Sequence, residues 1–170
     1  MDFLELAKTR FSCRKFKNIP VEDEKLNKIL EAAQLAPTAK NSQPFKIWVA
    51  KSDDALNKIR TVTPCHFNAN LILVLGGNPE NAFTRPADNK NFNEVDASII
   101  GTHIMLQIQN LGLGTTWVGY FDNLKLIELF PEMKNYNLIA LFPIGYPADD
   151  AQPAEKHFKR KNISELVTYL

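Results

Sequence analysis

Four short stretches of the 170-residue chain hold the residue types that could bind or transform a ligand. In the first, Arg10-Phe-Ser-Cys-Arg-Lys-Phe16, an extended backbone would put Arg10, Ser12 and Arg14 on one face. Two guanidiniums and a hydroxyl along one edge suit phosphate and polyol oxygens, since a guanidinium presents a planar fork of donors to an oxyanion. Phe11 and Phe16 would then anchor the segment in the core. The second stretch, Ala36-Pro-Thr-Ala-Lys-Asn-Ser-Gln-Pro-Phe45, sets two prolines around Thr38, Asn41, Ser42 and Gln43. Such a loop can hold backbone and amide groups rigidly toward a ligand. The third, Gly112-Leu-Gly-Thr-Thr-Trp-Val-Gly119, offers small residues where a backbone could approach a ligand or another backbone closely. The fourth, Lys156-His-Phe-Lys-Arg-Lys161, is basic. Each stretch also has a plain structural explanation: a solvated basic strand, a helix-to-strand connection, a helix-capping glycine and a solvated tail. Taken singly, spacing leaves both readings open.

The elements that must carry these stretches follow from periodicity and punctuation. Asp2 with Glu5 resembles a capping box opening a helix to about Lys8. Leu26, Ile29, Leu30 and Ala33 fall at i, i+3, i+4, i+7 in a helix opened by Pro20 and Glu22–Glu24 and stopped by Pro37. Phe45–Ala50 reads as a strand, and Ser52 or Asp53 caps a helix through Ile59. Leu71–Leu75 with Gly76-Gly77 behind it reads as a buried strand. Asn78–Glu94 reads as a long polar loop of the kind that covers binding sites. Val95–Leu111 is apolar almost all round, so it must be buried in a core or against a partner subunit. Thr115–Val118 reads as a short strand, Asp122 caps a helix through Phe130, Leu138–Ile144 is a strand, and Asn162 or Ser164 opens a short terminal helix. Helices alternate with four strands, which predicts one layered domain of α/β type over residues 1–170.

Composition narrows the function classes. Twenty basic against nineteen acidic residues leave a formal net charge of +1, so no general field draws nucleic acid. No apolar run is long enough to span a membrane, and the acidic N-terminus lacks a secretory h-region. Cys13 and Cys65 form no CxxC pair, which fits reduced thiols in a cytoplasm. The cysteines, His66, His103 and His157 lack metal-ligand spacing, and His103 on the apolar helix reads as a packed core histidine. No dinucleotide-fold, P-loop or serine-hydrolase motif is present.

Taken together, RFSCRKF at 10–16, APTAKNSQPF at 36–45, GLGTTWVGYFD at 112–122, LFPIGYP at 141–147 and KRKNISELV at 159–167 resemble the FMN-dependent nitroreductase family, in that family's order. The resemblance implies an α+β fold: a three-layer α-β-α sandwich of the nitroreductase type, with a central mixed sheet flanked by helices. It also implies an interlocked homodimer with FMN at the subunit interface. Carried over, Arg10, Ser12 and Arg14 would meet the phosphate, ribityl chain and pyrimidine edge. Pro37, Thr38, Ala39 and Asn41 would reach the flavin from the other subunit. Gly119 would present its N–H to flavin N5 with Trp117 and Val118 beside it, and Lys159 and Arg160 would hold the phosphate. The implied activity passes hydride equivalents from NADH or NADPH to a small electron-poor acceptor, a nitroaromatic or quinone, by ping-pong turnover. No catalytic side chain is implied. A flavin reservoir or redox sensor with little turnover is the alternative.

Overall fold

The computed structural model describes residues 2–170. The run Leu71-Ile-Leu-Val-Leu-Gly-Gly77 is buried throughout and forms β2 (Leu71–Gly77), an interior strand. β1 (Phe45–Ala50) lies antiparallel to one edge of β2, and β6 (Asn137–Gly145) lies antiparallel to the other. β5 (Gly114–Thr115) completes the order β1-β2-β6-β5 against β6.

Alternation along these strands builds two cores. Leu71, Leu73 and Leu75, with Ala140, Phe142 and Ile144, face Leu26, Ile29 and Ala33 of α2 (Asp23–Gln34) and Ile100, Ile104 and Ile108 of α4 (Asn93–Asn110). Ile72, Val74 and Leu141 face the other way, onto Leu56 and Ile59 of α3 (Asp53–Arg60) and Leu126 of α5 (Asn123–Leu129). The result is an α-β-α sandwich. Its strand ladders are all antiparallel, and the parallel element of the sheet is a single bridge between Ser12 and Thr115. The pairing slips where Leu75 faces Ala140 but Gly76 faces Leu138. Ile139 is thus the extra residue of a β-bulge, which reverses the parity of β6. Leu138 therefore joins the α3/α5 core while Ile139 packs on the α2/α4 core.

Several expectations need correction. Residues 78–94 are not simply a loop: β3 (Thr84–Arg85) and β4 (Lys90–Asn91) pair as a small hairpin, and α4 starts at Asn93. α4 is less uniformly apolar than its sequence suggests, since Asn93 and Asp96 are buried and Ser98 and Thr102 are exposed. β5 stops at Thr115, and Val118 makes an isolated bridge to Leu141. At α1 (Phe3–Thr9), Asp2 caps by accepting from the Leu4 N–H at 3.2 Å, and Glu5 pairs with Lys8. The complete capping box lies instead at Asn162 and Glu165, opening a single 3-10 turn. A second such turn, Glu155–Phe158, was not foreseen. Pro131 does not merely end α5 but opens a further 3-10 turn, a position where its missing N–H is harmless.

α4 is the spine of this arrangement. Ile100, Ile104 and Ile108 are each 0% exposed, and burying three such side chains contributes roughly 5–9 kcal/mol. Gly101 lets the Trp117 ring lie directly on the helix, where an added Cβ would stand 2.5 Å from Trp117 Cζ3 and 3.1 Å from Phe142 Cζ. Gly101→Ala would gain about 1 kcal/mol of helix propensity. Forcing a rigid aromatic pair apart costs about 1–3 kcal/mol and should win. We expect a net loss of stability in urea unfolding and a displaced Trp117, read as an altered tryptophan emission maximum.

Candidate functional site

The 10–17 segment is extended, as its alternation predicted, because neighbouring strands hold it. The Cys13 N–H donates to Thr115 O at 2.9 Å, Lys17 N–H to Tyr146 O at 2.8 Å, and Ala148 N–H to Lys15 O at 3.0 Å. The inward anchors are Cys13, buried against Gly114, and Phe16, packed on the α3/α5 core. Phe11, expected inside, instead lines a surface depression of about 240 Å³ with Ser12, Arg14, Lys15 and Asp150. Arg14 points outward and donates to the Ser12 carbonyl at 3.2 Å. It also borders a second depression, about 130 Å³, formed with Cys65, Phe67, Trp117, Val118 and Gly119.

At Val118 the chain exchanges backbone hydrogen bonds with Leu141, at 3.0 and 2.9 Å. Gly119 then leaves the sheet. It is exposed, and its N–H has no partner among the described residues. A Cβ built there would meet only Trp117 Nε1, 3.9 Å away. Intrachain packing therefore does not demand glycine at this position, whereas a flat group lying against the backbone would.

The basic tail reaches the same end of the molecule. His157 sits 3.2 Å from the Lys8 carbonyl, which docks the Glu155–Phe158 turn on the end of α1 and brings Arg160 near Arg10. The Arg10 pKa is held below its ordinary value by burial first and by the Arg160 charge second. Lys159 is paired with Glu155 at 2.5 Å, but Arg10, Arg14 and Arg160 have no carboxylate partner among the described residues. A half-buried guanidinium beside a second one and without a counter-ion is unfavourable until an anion joins it.

The 36–45 loop lies elsewhere. Lys40, Asn41 and Gln43 all take left-handed φ, at 56°, 52° and 48°, a strained run that needs outside support. That support comes from Thr38, whose hydroxyl accepts the Gln43 N–H at 3.0 Å, and from Asp96, whose Oδ1 accepts the Ala39 N–H at 2.9 Å. Lys40 also stands 4.7 Å over the Phe83 ring, which pairs with Phe92 at the foot of the hairpin.

Arg10, Ser12, Lys159 and Arg160 thus gather near the C-terminal end of α4, and the chain from Gly114 runs back along the helix, so that Trp117 lies on Gly101 with Arg14, Val118 and Gly119 beside it. Pro37, Thr38, Ala39 and Asn41 gather at the N-terminal end of α4. From Asp96 to Asn110 is 14 residues, about 21 Å along the axis. Asp96 and His157, which position the two halves, were not singled out as site residues from sequence. A buried carboxylate inside an apolar helix was the available signal for Asp96.

With this geometry in view, comparison with known proteins is direct. The nitroreductase family model matches residues 7–70 and 63–146, and the chain belongs to that family. A nitroreductase family protein of Clostridium difficile 630 is 37% identical, with a TM-score of 0.92 over 99% of this chain and 98% of that one. An FMN-dependent nitroreductase of C. difficile R20291 is 29% identical, with a TM-score of 0.75 over 94% of this chain and 99% of that one. A protein of Methanothermobacter thermautotrophicus, named as a candidate NADH dehydrogenase/NAD(P)H nitroreductase, is 30% identical over 88% of this chain and 80% of its own length.

Asp96→Ala removes the acceptor for the part-buried Ala39 N–H, and such a loss costs about 1–3 kcal/mol. Asp96→Asn keeps an acceptor oxygen and should lose less than Asp96→Ala. Urea unfolding midpoints of the two variants check the order.

Proposed function

We propose that this chain is an FMN-dependent oxidoreductase working as a homodimer, one FMN-binding domain spanning residues 1–170 per subunit. It would pass hydride equivalents from NADH or NADPH to a small electron-poor acceptor such as a nitroaromatic or quinone. The observation that carries the reading is a run of guanidiniums without carboxylate partners, Arg10 beside Arg160 and then Arg14, which borders the depression lined by Gly119, an exposed glycine whose N–H has no partner among the described residues. An anionic tail attached to a flat ring fits both features at once. FMN supplies that pair, its phosphate carrying about −1.5 to −2 charges near neutral pH.

When bound, the isoalloxazine would supply the redox chemistry by taking up and releasing a hydride equivalent. Arg10 and Arg160, with Lys159 nearby, would hold the phosphate through charge-assisted hydrogen bonds. Ser12 would meet the ribityl chain, and Arg14 at the pyrimidine edge would stabilise negative charge developing there. Gly119 would offer its N–H to N5, while Trp117 and Val118 would wall the ring on that side. No side-chain acid or base is required, so no catalytic residue is assigned. The free thiols of Cys13 and Cys65 support a place in the cytoplasm.

The dimer follows from the separation of the two half-sites. The arginine cluster near the C-terminal end of α4 and the 36–45 loop at its N-terminal end stand roughly 21 Å apart along one chain's helix, so one phosphate cannot meet both. A two-fold arrangement with the two copies of α4 crossing antiparallel would bring one chain's loop over the other's Gly119. Phe3, Leu4, Leu35, Ile163 and Leu166 are exposed here and would be covered in such an assembly.

The purified protein should therefore be yellow, with one FMN per subunit. Arg10→Ala and Arg14→Ala should each weaken FMN binding roughly 10- to 150-fold, the equivalent of one lost charge-assisted bond. Mixing an Arg10→Ala/Arg14→Ala chain with a Thr38→Ala/Asn41→Ala chain should restore one of the two sites. A colourless protein that FMN cannot reconstitute would overturn the reading.

Because nicotinamide and acceptor would share one exposed flavin face, initial rates on a grid of both should give parallel double-reciprocal lines. Phe92→Ala should change acceptor preference more than flavin reduction, since Phe92 forms the foot of the covering hairpin. Intersecting lines would defeat the single-face argument, and absent turnover with any acceptor would favour a reservoir or sensor.

A further inference from the structure

Gly119 hangs between two fixed points. Before it, Val118 is bonded to Leu141 in both directions. After it, the Tyr120 carbonyl accepts a 2.6 Å hydrogen bond from the Thr63 hydroxyl, and the Asp122 N–H donates to Val62 O at 2.9 Å. Thr63 is 3% exposed, and its oxygen also accepts the Cys65 N–H at 3.0 Å. One buried hydroxyl therefore ties the Trp117–Tyr120 wall of the 130 Å³ depression to the Cys65–Phe67 wall. Among the described residues, no other side-chain hydrogen bond reaches residues 116–121. The second wall needs the tie, because Phe67 and Asn68 both take left-handed φ, at 49° and 53°.

We infer that Thr63 is the positioning residue for the Gly119 amide: it sets where that N–H points, acting through the Tyr120 carbonyl. This rests on the reading of Gly119 as the flavin N5 contact. Thr63 lies in neither the phosphate cluster nor the lining of the depression, so its effect on the ring is indirect. Valine at this position keeps the shape of threonine but leaves the Tyr120 carbonyl and the Cys65 N–H without a partner, so the turn relaxes. Serine keeps both bonds.

The test compares the full-length wild-type protein with Thr63→Val and Thr63→Ser, with and without FMN. In the FMN-loaded Thr63→Val protein the two-electron midpoint potential should move by at least about 30 mV, a tenfold change in relative affinity for oxidised and reduced flavin. Flavin reduction by the nicotinamide should slow roughly 10- to 100-fold, the scale of a misplaced contact. Thr63→Ser should match the wild type in both. In protein stripped of FMN, amide exchange across 117–122 should speed up in Thr63→Val and not in Thr63→Ser. A Thr63→Val protein with wild-type potential and wild-type exchange overturns the assignment, even if it is less stable. Should Thr63→Val not fold, Thr63→Ala carries the same measurements. A wild-type protein that binds no FMN refutes the cofactor reading instead, and the exchange data then decide whether Thr63 holds the turn.

Discussion

The burial of α4 is the constraint on which the other features depend. The sheet covers one side of this helix and α2 another, with Ile100, Ile104 and Ile108 fully enclosed. A helix so placed cannot bend or slide without opening the main core, so it acts as a ruler of fixed length. Each end of the ruler carries one half of the candidate site. The first turn supplies Asp96 to the 36–45 loop, and Thr115, beyond its last turn, bridges Ser12 of the arginine strand. Gly101 extends the same logic to Trp117, whose ring rests on the helix at a point where any side chain would collide. The arginine cluster and the 36–45 loop thus stand toward opposite ends of one rigid helix.

Electrostatics divides the basic residues by task. Lys15 and Lys17, on either side of the 10–17 strand's end, pair with Asp150 and Asp149 at 2.5 Å each. Lys159 pairs with Glu155 in the tail. Exposed pairs of this kind contribute about 0–1 kcal/mol, so they do not explain the fold. Their effect is to neutralise Lys15, Lys17 and Lys159, whereas Arg10, Arg14 and Arg160 carry charge with no carboxylate partner among the described residues. Arg10 carries the clearest sign of the cost, its charged form disfavoured by burial and by Arg160. A chain balanced to +1 overall can in this way present a concentrated anion site at one end of one helix.

Much of this was legible in the residues. The four strands of the sheet, the five α-helices and the buried nature of the α4 segment follow from period and punctuation, because each has a clear apolar pattern or a cap. The parity of β6 was not legible, since a bulge at Ile139 leaves no signal in a continuous apolar run. The hairpin at 84–91 was missed because its two strands are two residues each and carry no alternation. Phe11 was misplaced because alternation puts it on the same face as Cys13 and does not say which of the two is enclosed, and it is Cys13 that packs on Gly114. The candidate site residues come from the resemblance, and the groups that hold their segments left no such signal. Asp96, His157 and Thr63 act over separations of 57 or more residues, which no local pattern records.

The hairpin's supports bear on what the site can accept. Asn91 donates to Pro79 O at 2.9 Å and Thr84 Oγ1 at 3.0 Å, and its own oxygen accepts from Asn93 Nδ2 at 2.7 Å. Asn93 in turn accepts from Asn137 Nδ2 at 3.1 Å, on β6. This chain of amides runs from the hairpin to the central sheet with each step paired, and a paired network of this kind stiffens what it holds. The Arg85–Asp88 pair closes the hairpin tip, and Lys40 caps Phe83 at its foot. A cover anchored at its foot and braced within its tip moves as one stiff piece. If it flanks the flavin, selection among acceptors would rest on the size of a fixed opening between Phe83, Phe92 and Lys40. That would favour compact planar molecules over long ones and would tie the choice of acceptor to the α4 turn that holds the 36–45 loop.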